Sequence, residues 1–151
     1  MSVRTTDRMG EMAEDTCQRD CEALYVAFAN ALDVRDYDRV ISLFTADAIM
    51  NRKGSRHVGR DAIMAMLRAR PTNRALRHLI SNVEIFPAGD NTARGLCYFL
   101  AFAEPGADDA EYLPMNGPSV MGELHGQFRR TNDGWQFSRF DAKLTFAREG
   151  V

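Results

Sequence analysis

The chain is poor in the residues that build specialised chemistry: among 151 residues there are three cysteines, three histidines, one tryptophan and five prolines. Cys17 and Cys21 lie one helical turn apart, and Cys97 stands alone in a strand-like stretch. An odd count so spaced makes no disulfide framework, and free thiols point to a cytoplasmic protein. The histidines are too scattered for a metal-ligand set, so no metal is expected. A glycine-rich phosphate loop and a Gly-x-Ser-x-Gly elbow are both missing, which argues against nucleotide chemistry and a serine hydrolase. No apolar run reaches the ~20 residues of a membrane span, and the first residues hold no apolar signal core. The net charge of −2 gives no general attraction for nucleic acid or anionic membrane.

What is present is an ordinary globular mixture, 45% hydrophobic and 26% charged, in a chain of one-domain length. We treat 1–151 as a single domain, with residues 1–8 as a flexible tail. From Met9 to Leu32 good helix formers dominate, and Ala23 to Ala29 is apolar nearly all round, so that helix is expected to be buried on several sides. Asp36 or Asp38 caps a short second helix with Val40, Ile41 and Phe44 on its buried face. Ala48–Asn51 and Arg56–Val58 read as short strands turning at Lys53 and Gly54, and Ala62–Arg70 reads as a third helix stopped by Pro71.

After Pro71 the period changes. Leu76–Phe86, Thr92–Ala103, Val120–Arg130 and Trp135–Phe146 read as four long strands. A turn at Pro87–Asn91 and a hairpin signal at Thr131–Gly134 join them. The Pro-, Gly- and Asp-rich stretch Glu104–Pro118 is expected to be a long mobile loop, a candidate lid. Helices first and strands after is the α+β pattern, and it excludes a doubly wound sheet.

Several phrases resemble the SnoaL-like branch of the nuclear-transport-factor-2-like superfamily. They are Ala31 to Val40 (Ala-Leu-Asp-Val-Arg-Asp-Tyr-Asp-Arg-Val), Leu43 to Ala48, Val58 to Ile63, Arg77 to Asn82, and Asn132 to Phe137. They follow the family's order and span nearly the whole chain after its first twenty residues. The resemblance implies a cone-shaped α+β barrel: a bent, mostly antiparallel sheet wrapped around N-terminal helices and enclosing a pocket. Within the branch the chain is most similar to the Asp/His dehydratases, which include scytalone dehydratase and bile-acid 7α-dehydratase. Their Asp and His match Asp33 and His78. The bile-acid enzyme's tyrosine falls at Phe28, and Tyr25, one turn earlier, is the candidate to replace it.

Asp33 falls at a helix C-terminus, where the macrodipole disfavours an anion; as a bare residue it reads first as a turn Asp, and the family match brings the catalytic reading level with that. His78 shares a strand face with Leu76, Ile80 and Asn82, and a neighbouring carboxylate would orient its ring. The expected catalytic pair is therefore Asp33 and His78. Tyr25, Phe28, Asn82, Tyr98 and His125 are the expected substrate-binding residues. Glu123 and His125 alternate on one strand face, for which an outward, solvated placement is the first reading and a polar cavity wall the second. Arg68, Arg70, Arg74 and Arg77 cluster around Pro71; they read first as a solvated surface cluster, with a phosphate site as the alternative.

The expected function is a cofactor-independent lyase of dehydratase type acting on a small hydrophobic molecule. An isomerase or polyketide-cyclase-like enzyme is one alternative; a non-catalytic ligand-binding or oligomerising domain is the other. Phe99, Phe128, Trp135, Phe137 and Phe140 are more aromatic strand surface than one small barrel hides, which suggests a homodimer or homotrimer.

Overall fold

The computed structural model describes residues 3–106 and 111–150, with side chains from residue 9 onward. Three helices, α1 (Val3–Asp33), α2 (Tyr37–Ser42) and α3 (Arg60–Arg68), precede or interrupt six strands. These are β1 (Phe44–Arg52), β2 (Ser55–Val58), β3 (Arg74–Gly89), β4 (Thr92–Pro105), β5 (Val120–Thr131) and β6 (Gly134–Ala147). They form one sheet in the order β2-β1-β6-β5-β4-β3, antiparallel except where β1 runs parallel to β6. The α+β class is as expected, but β2 and β3 remain edges, so the sheet does not close into a barrel.

Several boundaries differ from expectation: Phe44, expected on the buried face of the second helix, instead opens β1. Residues 3–8, expected to form a tail, are helical, because nothing before Asp33 breaks the helix that the apolar segment anchors. Strand β3 runs on through Pro87 to Gly89, because at an edge strand a missing N–H costs no ladder bond. The loop expected from Glu104 begins only at Gly106, and its acidic Asp108 and Asp109 lie outside the described residues.

Local signals fix the joints. Asp36 caps α2, its Oδ1 accepting the Arg39 N–H at 3.1 Å. The β1–β2 hairpin turns at Lys53 and Gly54, both with positive φ. Thr131 Oγ1 closes the β5–β6 hairpin, accepting the Asp133 N–H at 3.1 Å and donating to the Gly134 carbonyl at 3.0 Å. Buried Gln136 donates to the Ser42 carbonyl at 2.9 Å, tying β6 to the end of α2.

Helix α1 packs against β3, β4 and β6. Strands β6 and β3 lie three places apart in the sheet, roughly 14 Å along a flat sheet at ~4.8 Å per strand. Strand β1 lies one place further still, yet its Met50 lines the same cavity as Leu76 of β3, together with Phe28 and Leu32 of α1, so the sheet curls toward the helix. The aromatic residues expected on an outer face are on this inner one: Phe99, Phe128, Trp135, Phe137 and Phe140 are all buried. Phe137 stacks edge-on to Phe140 at 5.1 Å and Tyr25 edge-on to Phe128 at 5.6 Å. The hydrophobic surface left outside is a different set, including Leu79, Phe86 and Tyr98.

Gly95 and Gly126 pair directly across β4 and β5, and the Tyr25 hydroxyl fills the slot that their missing side chains leave. A Cβ on Gly126 would lie 2.7 Å from Tyr25 Oη and 2.8 Å from Phe128 Cζ. Gly126→Ala should therefore lower unfolding stability by about 1–3 kcal/mol through overpacking. Gly10 lies in α1 with nothing near its would-be Cβ, so Gly10→Ala should raise stability by about 0.5–1 kcal/mol. Urea titrations of the two variants against wild type check both signs.

Candidate functional site

The last residue of α1 and the third pair of residues of β3 meet side by side. Asp33 Oδ2 accepts the backbone N–H of His78 at 2.9 Å, and Oδ1 lies 2.5 Å from His78 Nδ1. Both side chains are largely withdrawn from solvent, His78 at 14% and Asp33 at 9% exposure. The expected pair is thus brought together across 45 positions of sequence. A carboxylate on Nδ1 places a proton there and leaves the Nε2 lone pair available. Among the described residues no hydrogen bond engages Nε2. The backbone bond also compensates Asp33 for its unfavourable place at the helix C-terminus.

His78 lines a cavity of about 440 Å³, within the size range of small-molecule pockets. Phe28, Met50, Met66, Leu76, Phe99 and Phe140 supply much of its wall. Of the five expected substrate-binding residues, only Phe28 is there.

The other four are elsewhere, each for an identifiable reason. Tyr25 is fully buried in the core, its hydroxyl donating to the Leu124 carbonyl at 3.4 Å, and burial pushes its phenol well above the ordinary range. Asn82 sits at a β-bulge, where Asn82 and Val83 together oppose Cys97, and it takes φ +52° and faces solvent. The bulge shifts the inward parity of β3 from Leu76, His78 and Ile80 to Val83 and Ile85. Tyr98 falls on the outer face, because its neighbours Cys97 and Phe99 are the inward positions of β4. His125 also faces out, its Nε2 2.8 Å from Glu123 Oε2, beside the Arg139–Asp141 ion pair.

The basic cluster around Pro71 divides. Arg68 and Arg77 are exposed and leave the cavity, whereas Arg70 and Arg74 line it. Arg52 and Lys53, from the β1–β2 hairpin, join them. Their membership could not be read from the sequence, since about twenty residues separate them from Arg70 and Arg74. Burial and the charge of Arg52 push the Arg70 guanidinium down to about 10. Burial likewise lowers Arg52.

The three thiols are buried; burial pushes Cys97 up to about 12, so none presents a ready nucleophile. No group of three or more His, Cys, Asp or Glu among the described residues is placed to hold a metal ion. Among the described residues no helix is long and apolar enough to cross a membrane.

Solved structures share this architecture. A provisionally named scytalone dehydratase from Novosphingobium aromaticivorans DSM 12444 superposes with a TM-score of 0.80 at 19% identity, over 93% of this chain and 92% of that one. The hexachlorocyclohexane dehydrochlorinase LinA-type3 from Novosphingobium barchaimii LL02 gives 0.76 at 14% identity, over 93% and 96%. An NTF2-like protein with a cystatin-like fold from N. aromaticivorans gives 0.77 at 18% identity, over 100% and 94%. At these identities the likeness establishes the fold. No curated protein sequence matches the chain. The SnoaL-like domain model matches residues 16–141, a span holding both Asp33 and His78, and the chain belongs to the SnoaL-like family.

Proposed function

We propose that the chain is a cofactor-independent lyase of dehydratase type, working on a small, largely apolar molecule held in the cavity beside His78. The observation that carries this reading is His78 on the wall of a largely apolar pocket, with Asp33 engaging its ring from behind that wall. Nε2 takes a proton from a carbon next to an electron-withdrawing group, while Asp33 stabilises the imidazolium that forms. The C–H pair becomes the new C=C bond as the C–O bond to the neighbouring hydroxyl breaks. The imidazolium returns its proton to that hydroxyl, which leaves as water, so protons and electrons balance. The dehydratase and dehydrochlorinase among the structural neighbours support an elimination. The same base in the same pocket also suits an isomerase, in which the proton returns to carbon instead.

A panel of β-hydroxy ketones and β-hydroxyacyl thioesters, followed by the ultraviolet absorbance of the conjugated product, tests this. Wild type should turn over at least one member. His78→Ala should abolish turnover with the fold intact by circular dichroism. Asp33→Asn should lower the rate by about 10²–10⁴-fold, the range for lost acid–base assistance. Turnover that survives His78→Ala would overturn the assignment. Tight binding of the panel without turnover would favour a ligand-binding protein.

We also propose that the protein acts as a homodimer or homotrimer through the outer sheet face, and that it works in the cytoplasm. Support for the assembly comes from Leu79, Phe86 and Tyr98, which lie exposed on outward positions of the paired strands β3 and β4. Light scattering at micromolar concentration should give a dimer or trimer mass, and a Phe86→Glu variant should shift it toward the monomer. A monomeric wild type would refute the assembly.

A further inference from the structure

The cavity that the proposed function treats as the substrate site has a charge imbalance which a purely apolar ligand would leave uncompensated. Four cations line it, Arg52, Lys53, Arg70 and Arg74, and no Asp or Glu does. Two of them, Arg52 and Arg70, are half-buried rather than waving in solvent. None of the four is in an ion pair among the described residues. Asp33 is the carboxylate whose charge reaches Arg70, and both of its oxygens are engaged by His78. Holding guanidinium groups together, partly desolvated and with no carboxylate paired to them directly, is unfavourable, and an anion bound between them relieves it. Their positions also make sense as a construction. Arg52 and Lys53 come from the β1–β2 hairpin, Arg70 from the end of α3, and Arg74 from the start of β3. Three separate elements thus deliver positive charge to one cavity.

Resting on the reading of this cavity as the substrate site, we propose that its substrate is amphipathic, with an apolar body against Phe28, Met50 and Phe99 and an anionic carboxylate or phosphate gripped by Arg52 and Arg70. The anion then does the orienting that Asn82 and Tyr25 do not. Arginine suits the task, because its planar fork pairs with two oxygens of a carboxylate or phosphate. Lys53 and Arg74, more exposed, add attraction without geometric demand.

Calorimetric titration with three ligands sharing one naphthalene body tests this: 1-naphthoate, 1-naphthyl phosphate and the neutral 1-naphthylmethanol. At least one anion should bind about tenfold or more tightly than the alcohol, the advantage expected of a charge-assisted contact. Preference for the naphthoate identifies a carboxylate on the substrate body, and preference for the naphthyl phosphate identifies a phosphate. The Arg52→Gln/Arg70→Gln double variant should bind the alcohol as wild type does and lose the anion preference. Retained alcohol binding also certifies that the pocket has folded; if the double variant fails to fold, the single Arg70→Gln variant should show a partial loss. His78→Ala should keep the anion preference, so a failure of the elimination chemistry and a failure of the anion site give different results. Equal binding of all three ligands by wild type, no binding of either anion, or a preference untouched by the arginine substitutions would overturn the proposal.

Discussion

The contact on which the site depends is the two-point grip of Asp33 on His78. One carboxylate oxygen takes the backbone N–H of a strand residue and the other takes the ring of the same residue. The first bond fixes where the C-terminus of α1 meets β3; the second fixes which ring nitrogen carries a proton. A structural joint and a chemical orientation are therefore set by a single side chain. That economy is possible because α1 ends at Asp33, where Arg35 takes a positive φ and the chain turns back into α2. Arg35 reinforces the same corner, donating to the Arg74 carbonyl at 2.8 Å as β3 begins.

The rest of the core explains why a cavity survives at this end of the sheet and not at the other. Toward the β5–β6 hairpin the curled sheet is filled: Tyr25 reaches the Gly95–Gly126 pair, and Phe44, Phe128 and Phe137 pack around it. Each fully buried aromatic side chain contributes about 1.5–3 kcal/mol, enough to hold the sheet curled onto the helix. Toward Asp33 the wall includes smaller or more flexible groups, Ala29, Met66, Ala101 and Ala103, and space is left between helix and sheet. The filled end sustains the curvature that the open end needs.

How much of this was legible in the sequence follows from the range of the interactions. Cap, hairpin and helix periodicity are local, and Asp36, Thr131 to Gly134 and Val40 appear where the sequence puts them. The Asp33–His78 pairing is long-range and became legible only through the family pattern, since neither residue announces the other. Strand parity was the point of failure. Counting by twos from His78 puts Asn82 inside, and a bulge of one residue turns it out. Counting gives Tyr98 and His125 no absolute side until Cys97 and Leu124 are seen to be buried. The aromatic strand residues were assigned to the wrong face for the same reason. Arg52 and Lys53 were invisible as site residues because their meeting with Arg70 is made by the fold alone.

The two halves of the cavity constrain each other chemically. An apolar wall lowers the local dielectric, which strengthens every charge interaction inside it, whether with the imidazolium of His78 or with a guanidinium. It also removes the water that would otherwise compete for a proton. Such a wall gives no directional hold on a ligand, so a base with one free lone pair still needs the right C–H delivered to it. The proposed ion pair at Arg52 and Arg70 would supply direction from a point that takes no part in the bond changes. Binding energy spent there would position the substrate without touching the reacting atoms, leaving the proposed proton transfer to His78 and Asp33. On the proposed reading, one base and one orienting carboxylate would then be chemically sufficient, because the ion pair takes over the task of orientation.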